Sequence, residues 1–138
     1  MSELIRLSLS IEKPLYDRLE KLVKQSGYTN RSEYVRDMIR ERLVETEWDK
    51  DREVLGTITL IYNHHRRQLS EKLIHLQHHH HTAVKVTTHV HLSRELCAEV
   101  IVVQARASRV RELADLMRQQ KGVLHADLTM SSTGVMLD

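Results

Sequence analysis

The chain has 138 residues, enough for one ordinary domain or two small ones. Its net charge of +2 is too weak by itself to indicate a nucleic-acid partner. No stretch approaches the ~20 apolar residues of a membrane span, and the N-terminus lacks the pattern of a signal peptide. The single cysteine excludes an internal disulfide, and in a reducing cytoplasm it is better interpreted as a ligand or a nucleophile.

Residues 4–11, LIRLSLSI, alternate between apolar and polar side chains, which predicts a half-buried strand. Arg6, Ser8 and Ser10 lie on its polar face. The strand has no hairpin partner nearby, yet its backbone groups must be paired. It therefore pairs either with the rest of the chain or with the same strand of a second molecule.

Two helices are predicted after this strand. Pro14 suits the first turn of a helix whose leucines recur at helical spacing, and Gly27 is a plausible stop. Asn30 is a good N-cap for the next helix. Residues 1–47 thus read as strand, helix, helix, and a piece of under ~50 residues buries too little surface to be stable alone. Dimerisation would solve this problem and also pair the strand.

The remainder predicts a second domain of residues 54–138 after a short charged connector of residues 48–53. Its periodicity gives the order β-α-β-β-α-β, an α+β sandwich with helices on one sheet face. The predicted segments are 54–63, 64–79, 83–92, 96–105, 108–120 and 123–130.

The stretch THVHLSRELC contains three candidate metal ligands. His89 and His91 are two apart on a strand, so both side chains leave the same face. If residues 93–95 form a three-residue hairpin loop, His91 lies opposite Cys97 and the thiol joins that face. A two-residue loop would place Cys97 on the other face.

A closed site usually needs a fourth ligand, and the candidates lie in QHHHHT, residues 77–82. About seven residues of strand at ~3.3 Å each predict roughly 20 Å between this run and His89. The fourth ligand is therefore expected from a neighbouring chain. Imidazoles and one thiolate suit Zn(II), Cu(II) or Ni(II), and the residues alone leave the metal open, with zinc in a structural role as the first expectation.

The segments RLSLS, GYTNRSEYVRD, QHHHH and HVHLSRELC, in this order and spacing, resemble the nickel-responsive transcriptional regulators of the ribbon-helix-helix class (NikR). The resemblance covers nearly the whole chain. It implies a dimeric ribbon-helix-helix DNA-binding domain, an ACT-like domain that forms a tetramer, and one square-planar Ni(II) per chain. The ligands it implies are His89, His91 and Cys97 of one chain with His78 of another. It also implies that Glu99, which is not itself a ligand, supports the ligating side chains.

The resemblance also implies contacts with double-stranded operator DNA. Two copies of the N-terminal strand would form a ribbon in the major groove, where members of the family often carry threonines at the positions of Ser8 and Ser10. Glu33 and Asp37 match a second, harder cation site between the domains. The DNA-contacting residues it implies are Arg6, Ser8, Ser10, Asn30, Arg31, Ser32, Arg66 and Arg67.

The sequence thus predicts a cytoplasmic, nickel-dependent DNA-binding regulator, expected to repress nickel-uptake genes. Two alternatives stay open: a regulator of the same fold that senses a small ligand such as an amino acid, and a metal storage or delivery protein without DNA function. An enzyme is not expected, because Cys97 is the only nucleophile candidate and lacks an evident orienting group. No site is assigned to His64, His65, His75 or His125.

Overall fold

A computed structural model describes residues 2–138. The chain divides into two compact units. One comprises the residues up to Leu43 together with Met136–Asp138, and the other comprises Val44–Val135. No helix among residues 2–138 is long and apolar enough to cross a membrane.

The N-terminal unit contains two helices. Helix α1 (Lys13–Gln25) begins with Pro14 in its first turn, and Gly27 follows it with a positive φ of 76°, as the sequence predicts. Helix α2 spans Arg31–Asp49. The Asn30 side chain caps it, because Oδ1 accepts a hydrogen bond of 3.0 Å from the backbone N–H of Glu33.

Residues 2–12 form neither helix nor strand within the described chain. Their apolar side chains lie in solvent, with Leu7 76% and Leu9 71% exposed. The apolar helix faces that the sequence predicts to be buried are also exposed to solvent, since Leu22 and Ile39 are about half exposed. A strand needs a hydrogen-bonding neighbour, and one copy of this segment supplies none.

The second unit contains an antiparallel four-stranded sheet with strand order β2-β3-β1-β4. Its elements are β1 (Glu53–Asn63), α3 (Leu69–His79), β2 (Val84–His91), β3 (Leu96–Arg106), α4 (Ala107–Arg118) and β4 (Val123–Met130). This is the predicted β-α-β-β-α-β order, and the α+β class is confirmed. Helix α3 begins at Leu69 rather than at residue 64, because Gln68 has a positive φ of 67°.

The core lies between the sheet and helices α3 and α4, and it is aliphatic around one tryptophan. Ile58, Leu60, Leu73 and Leu113 are fully buried there. Trp48 is 2% exposed, and its indole N–H donates to the Ser131 carbonyl at 2.8 Å. The segment 48–53, predicted as a charged connector, is thus helical as far as Asp49 and contributes a core side chain.

The opposite sheet face carries apolar side chains without a helix over them. Val86 and Val90 on edge strand β2 are 53% and 40% exposed, and Val100 and Val102 on β3 are half-buried beside them. An apolar face of this kind is typical of a surface that packs against another subunit.

Candidate metal centre

The hairpin between β2 and β3 has the predicted three-residue loop. The backbone N–H of Leu92 donates to the Leu96 carbonyl at 2.9 Å, and His91 lies opposite Cys97. Cys97 is also opposite Tyr62 of β1, so the thiol faces the helix side of the sheet and is fully buried. His91 and Cys97 therefore share one face, as the loop length predicts.

Three donors converge at this end of the sheet. The Cys97 Sγ lies 3.3 Å from Nδ1 of His64 and 3.6 Å from Nδ1 of His91. The ligand atoms of these three residues all lie within 4.8 Å of one another. His64 is half-buried and His91 is exposed, whereas the Cys97 side chain is fully buried.

His89 shares this face but lies outside the group of three. Its ring centroid is 5.4 Å from that of His91 and 6.1 Å from that of Tyr62, which it meets edge-on. It lies opposite Glu99, which is only 6% exposed. His89 and His91 leave the strand in the same direction, so both lie on the face that carries Cys97.

Glu99 is held by two side chains behind the donors. Tyr62 donates its hydroxyl to Oε2 at 3.1 Å, and Gln77 donates its amide to Oε1 at 2.8 Å. Burial, and then the negative charge of Glu99, raises the pKa of Tyr62, so this phenol stays protonated and remains a donor. The Thr87 hydroxyl donates to Oε1 of the Gln77 side chain at 2.7 Å, which joins the end of α3 to β2.

This network changes the distance argument for the fourth ligand. The Gln77 side chain contacts Glu99, the residue opposite His89, so the end of α3 lies near His89. The separation of roughly 20 Å predicted between the histidine run and His89 was therefore an overestimate. His78 is exposed at the end of α3 and does not belong to the group of three. Its role as a ligand from another chain stays a prediction, now based on the resemblance and on this exposure.

The donor set fits a borderline transition metal. One thiolate with two or three imidazoles is the chemistry that Ni(II), Cu(II) and Zn(II) prefer, whereas Mg(II) and Ca(II) prefer oxygen. Sequence reasoning assigned no site to His64. Its position, directly after the strand that pairs with the Cys97 strand, is the signal that could have indicated it.

The predicted DNA-contacting residues are mostly exposed. Arg6, Ser8 and Ser10 lie in the segment 2–12 before α1, and Arg67 lies in the turn between β1 and α3. Arg31, at the start of α2, pairs with Glu20 at 3.3 Å. The remaining predicted contacts, Asn30, Ser32 and Arg66, are exposed as well.

Glu33 and Asp37, predicted as a second cation site, each pair with an arginine of α2. Glu33 contacts Arg36, and Asp37 contacts Arg40 at 3.1 Å. Asp37 also accepts a hydrogen bond from the Tyr28 hydroxyl, which is the main reason that the pKa of this carboxyl is lowered. The two carboxylates are one helical turn apart, and a cation would compete with the arginines for them.

The fold and the donors define an α+β domain with a candidate transition-metal site, preceded by a separate helical unit. Comparison with known families gives each part an identity. Residues 55–131 match the NikR C-terminal nickel-binding domain, and residues 2–46 match the ribbon-helix-helix proteins of the copG family.

Relatives of known name match along the whole length. One from Solibacter usitatus is 47% identical over 97% of both chains, and one from Geobacter metallireducens is 46% identical with the same coverage. Each is named "Putative nickel-responsive regulator". The chain belongs to the nickel-responsive regulator (NikR) family.

Two solved structures resemble a little over half of this chain in fold. The ACT domain of a GTP pyrophosphokinase from Chlorobium tepidum covers 56% of this chain and 99% of its own, with 10% identity and a TM-score of 0.50. An uncharacterised protein from Thermotoga maritima covers 56% and 96%, with 13% identity and a TM-score of 0.52. The ACT-like fold is confirmed, and at these identities nothing further follows.

Proposed function

We propose that this chain is a cytoplasmic, nickel-dependent repressor of nickel-uptake genes that works as a homotetramer, a dimer of dimers. The observation that carries the proposal is the approach of His91 Nδ1 to the Cys97 sulfur, at 3.6 Å, in the domain that matches a nickel-binding family. A buried thiol surrounded by imidazoles is a ligand set for a soft or borderline metal.

The proposed high-affinity site contains His89, His91 and Cys97 of one chain and His78 of another, with one Ni(II) per chain. These four side chains would hold Ni(II) between the two chains and so connect them. Glu99 orients the site, because a buried carboxylate opposite His89 can accept the N–H that a ligating imidazole leaves free. The uncovered apolar face around Val86 and Val90 supports assembly through this domain.

DNA binding is proposed for the N-terminal unit. Two extended segments, one from each chain, would pair into an antiparallel ribbon that buries Leu7 and Leu9 and presents Arg6, Ser8 and Ser10 to base edges. Asn30, Arg31 and Ser32 would meet phosphates at the start of α2, and Arg66 and Arg67 would add contacts from the other domain. The pair Glu33 and Asp37 is retained as a proposed second cation site.

The direct experiment is a titration of Ni(II) into the full chain, with and without operator DNA. We expect one ion per chain with a planar nitrogen–sulfur absorption, and tighter Ni(II) binding when DNA is present, since coupling between two ligands is reciprocal. Cys97→Ser should abolish the absorption, whereas His125→Ala, which removes an exposed histidine of β4, should not. Equal nickel affinities with and without DNA would contradict the regulatory mechanism.

DNA-binding measurements on two variants distinguish this proposal from the two alternative functions. If a small organic ligand were the effector, His89→Ala would leave effector-dependent DNA binding intact. If the protein only stored metal, wild-type protein would show no specific DNA binding for Arg6→Ala to weaken. Transcription from a nickel-uptake promoter, measured with and without Ni(II), distinguishes repression from activation.

A further inference from the structure

The turn between α4 and β4 is built around a glycine with a left-handed backbone. Gly122 has a positive φ of 105°, a conformation that residues with a side chain rarely adopt. A hydrogen bond of 3.1 Å from the backbone N–H of Val123 to the Gln120 carbonyl closes the turn. Because glycine has no Cβ, the surface of this turn is open in front of Gly122.

The aliphatic part of the Arg66 side chain lies in the space that a side chain at position 122 would need. A Cβ at Gly122 would lie 2.9 Å from Cγ and 3.1 Å from Cδ of Arg66. The same Cβ would lie 3.0 Å from Cδ2 of Leu69, which is fully buried and closely packed. Gly122 and Leu69 thus form a surface on which the Arg66 methylenes rest, which we call the Arg66 seat.

The backbone of Arg66 is held as well, whereas its charged end is not. Its N–H donates to the Asn63 carbonyl at 3.1 Å, and its carbonyl accepts a hydrogen bond from the N–H of Leu69 at 3.3 Å. Within residues 2–138, no carboxylate pairs with the Arg66 guanidinium. Arginine commonly packs its methylenes on other side chains while its guanidinium stays in water. An arginine fixed in this way keeps its positive charge available for an anionic partner.

We propose that Gly122 is a positioning residue for DNA binding, because the Arg66 seat directs the Arg66 guanidinium toward a phosphate of the DNA backbone. The proposal rests on the proposed function in one respect, which is that Arg66 contacts DNA. A side chain that is ordered before binding loses less conformational entropy when it meets its partner, so the seat increases affinity without adding a contact. The neighbouring Arg67 is exposed in the same turn and carries the same charge, which makes it the matched comparison.

The test measures DNA binding by the Ni(II)-loaded full chain, with a duplex that wild-type protein selects from a random-sequence pool. Gly122→Ala should weaken binding by about two- to tenfold, since the added Cβ displaces the Arg66 methylenes. Gly134→Ala is the control for backbone strain, because Gly134 has a positive φ of 87° but a Cβ there meets nothing within 4 Å. Arg66→Ala should weaken binding at least as much, and in that background Gly122→Ala should have no further effect. Equal fractional losses with and without Arg66 would show that Gly122 acts only on folding and would overturn the proposal.

A second comparison decides the matter if Gly122→Ala does not fold. The seat predicts that Arg66→Ala lowers the melting temperature, because packing on the turn is lost, whereas Arg67→Ala weakens DNA binding without that loss. Equal melting temperatures for these two variants, or equal affinities for Gly122→Ala and Gly134→Ala, would overturn the role of Gly122. Failure of wild-type protein to select any duplex in the presence of Ni(II) would instead contradict the proposed function.

Discussion

Gln77 and Glu99 form a 2.8 Å hydrogen bond that joins the end of α3 to the strand carrying Cys97. The Glu99 carboxylate is 6% exposed and lies opposite His89, and Gln77 immediately precedes His78. The Gln77 amide therefore connects the helix end that carries His78 to the strand pair that carries His89, His91 and Cys97. A helix end held in this way keeps its ligand close to a fixed position relative to the sheet.

The first prediction follows from that bond. Gln77→Ala should lower Ni(II) affinity by about 10- to 100-fold, the usual effect of losing a partner behind a metal ligand. The planar absorption at saturating Ni(II) should remain, because no ligand has been removed. Gln104→Ala, which removes an amide bonded to Glu53 at the other end of β3, is the matched control. Equal affinities for the two variants would show that Gln77 does not position the site.

The second prediction concerns base recognition by Arg6. Arg6→Ala should weaken operator binding by about tenfold or more at fixed salt, since a bidentate arginine–guanine contact is worth about 1–3 kcal/mol. Arg18→Ala removes an equal charge from the exposed surface of α1 and should have a smaller effect. Fluorescence anisotropy with operator and scrambled DNA measures both. Equal losses on both DNAs would mean that Arg6 contributes only charge.

The third prediction concerns the exposed N-terminal leucines. Leu7 is 76% exposed in one chain, so a charge there costs a monomer little, but in a ribbon both copies would be buried. Leu7→Glu should therefore convert metal-free tetramers into dimers, because each lost leucine burial is worth about 1.5–3 kcal/mol. Sedimentation velocity is the measurement. Ser8→Glu, on the opposite face, should sediment as wild type, and identical profiles for all three proteins would contradict the ribbon.

The fourth prediction tests the core beneath the sheet. A Cβ at Gly56 would lie 2.7 Å from Cγ1 of Val110 and 3.3 Å from the Trp48 ring, so no side chain fits there. Gly56→Ala should destabilise the fold by about 1–3 kcal/mol, the usual effect of overpacking. Val110→Ala makes room, and the double variant should lose less than the sum of the two single losses. Guanidinium denaturation followed by circular dichroism measures this, and strict additivity would contradict the contact.

The sequence predicted the second unit closely because its patterns are local. Periodicity located all four strands, and the three-residue loop correctly placed Cys97 opposite His91. The start of α3 was predicted too early because the left-handed backbone at Gln68 leaves no signal in an otherwise helical pattern. The predicted N-terminal strand, by contrast, is not formed in one chain, where residues 2–12 have no strand partner.

The metal centre was less predictable than the fold. The pair His91 and Cys97 followed from strand register, but the approach of His64 depends on which strand lies beside β3, and spacing along the chain does not reveal that. The position of α3 over the sheet was missed for the same reason, and the distance to His78 was therefore overestimated.

The only tryptophan, Trp48, is buried in the Val44–Val135 unit, with the Arg111 guanidinium 5.4 Å from the centre of its ring. Selective excitation of the indole thus gives an optical signal that originates in one unit alone. Three of the four tyrosines, Tyr16, Tyr28 and Tyr34, belong to the other unit. The two emissions, recorded separately during heating, would show whether the two units melt together or one after the other.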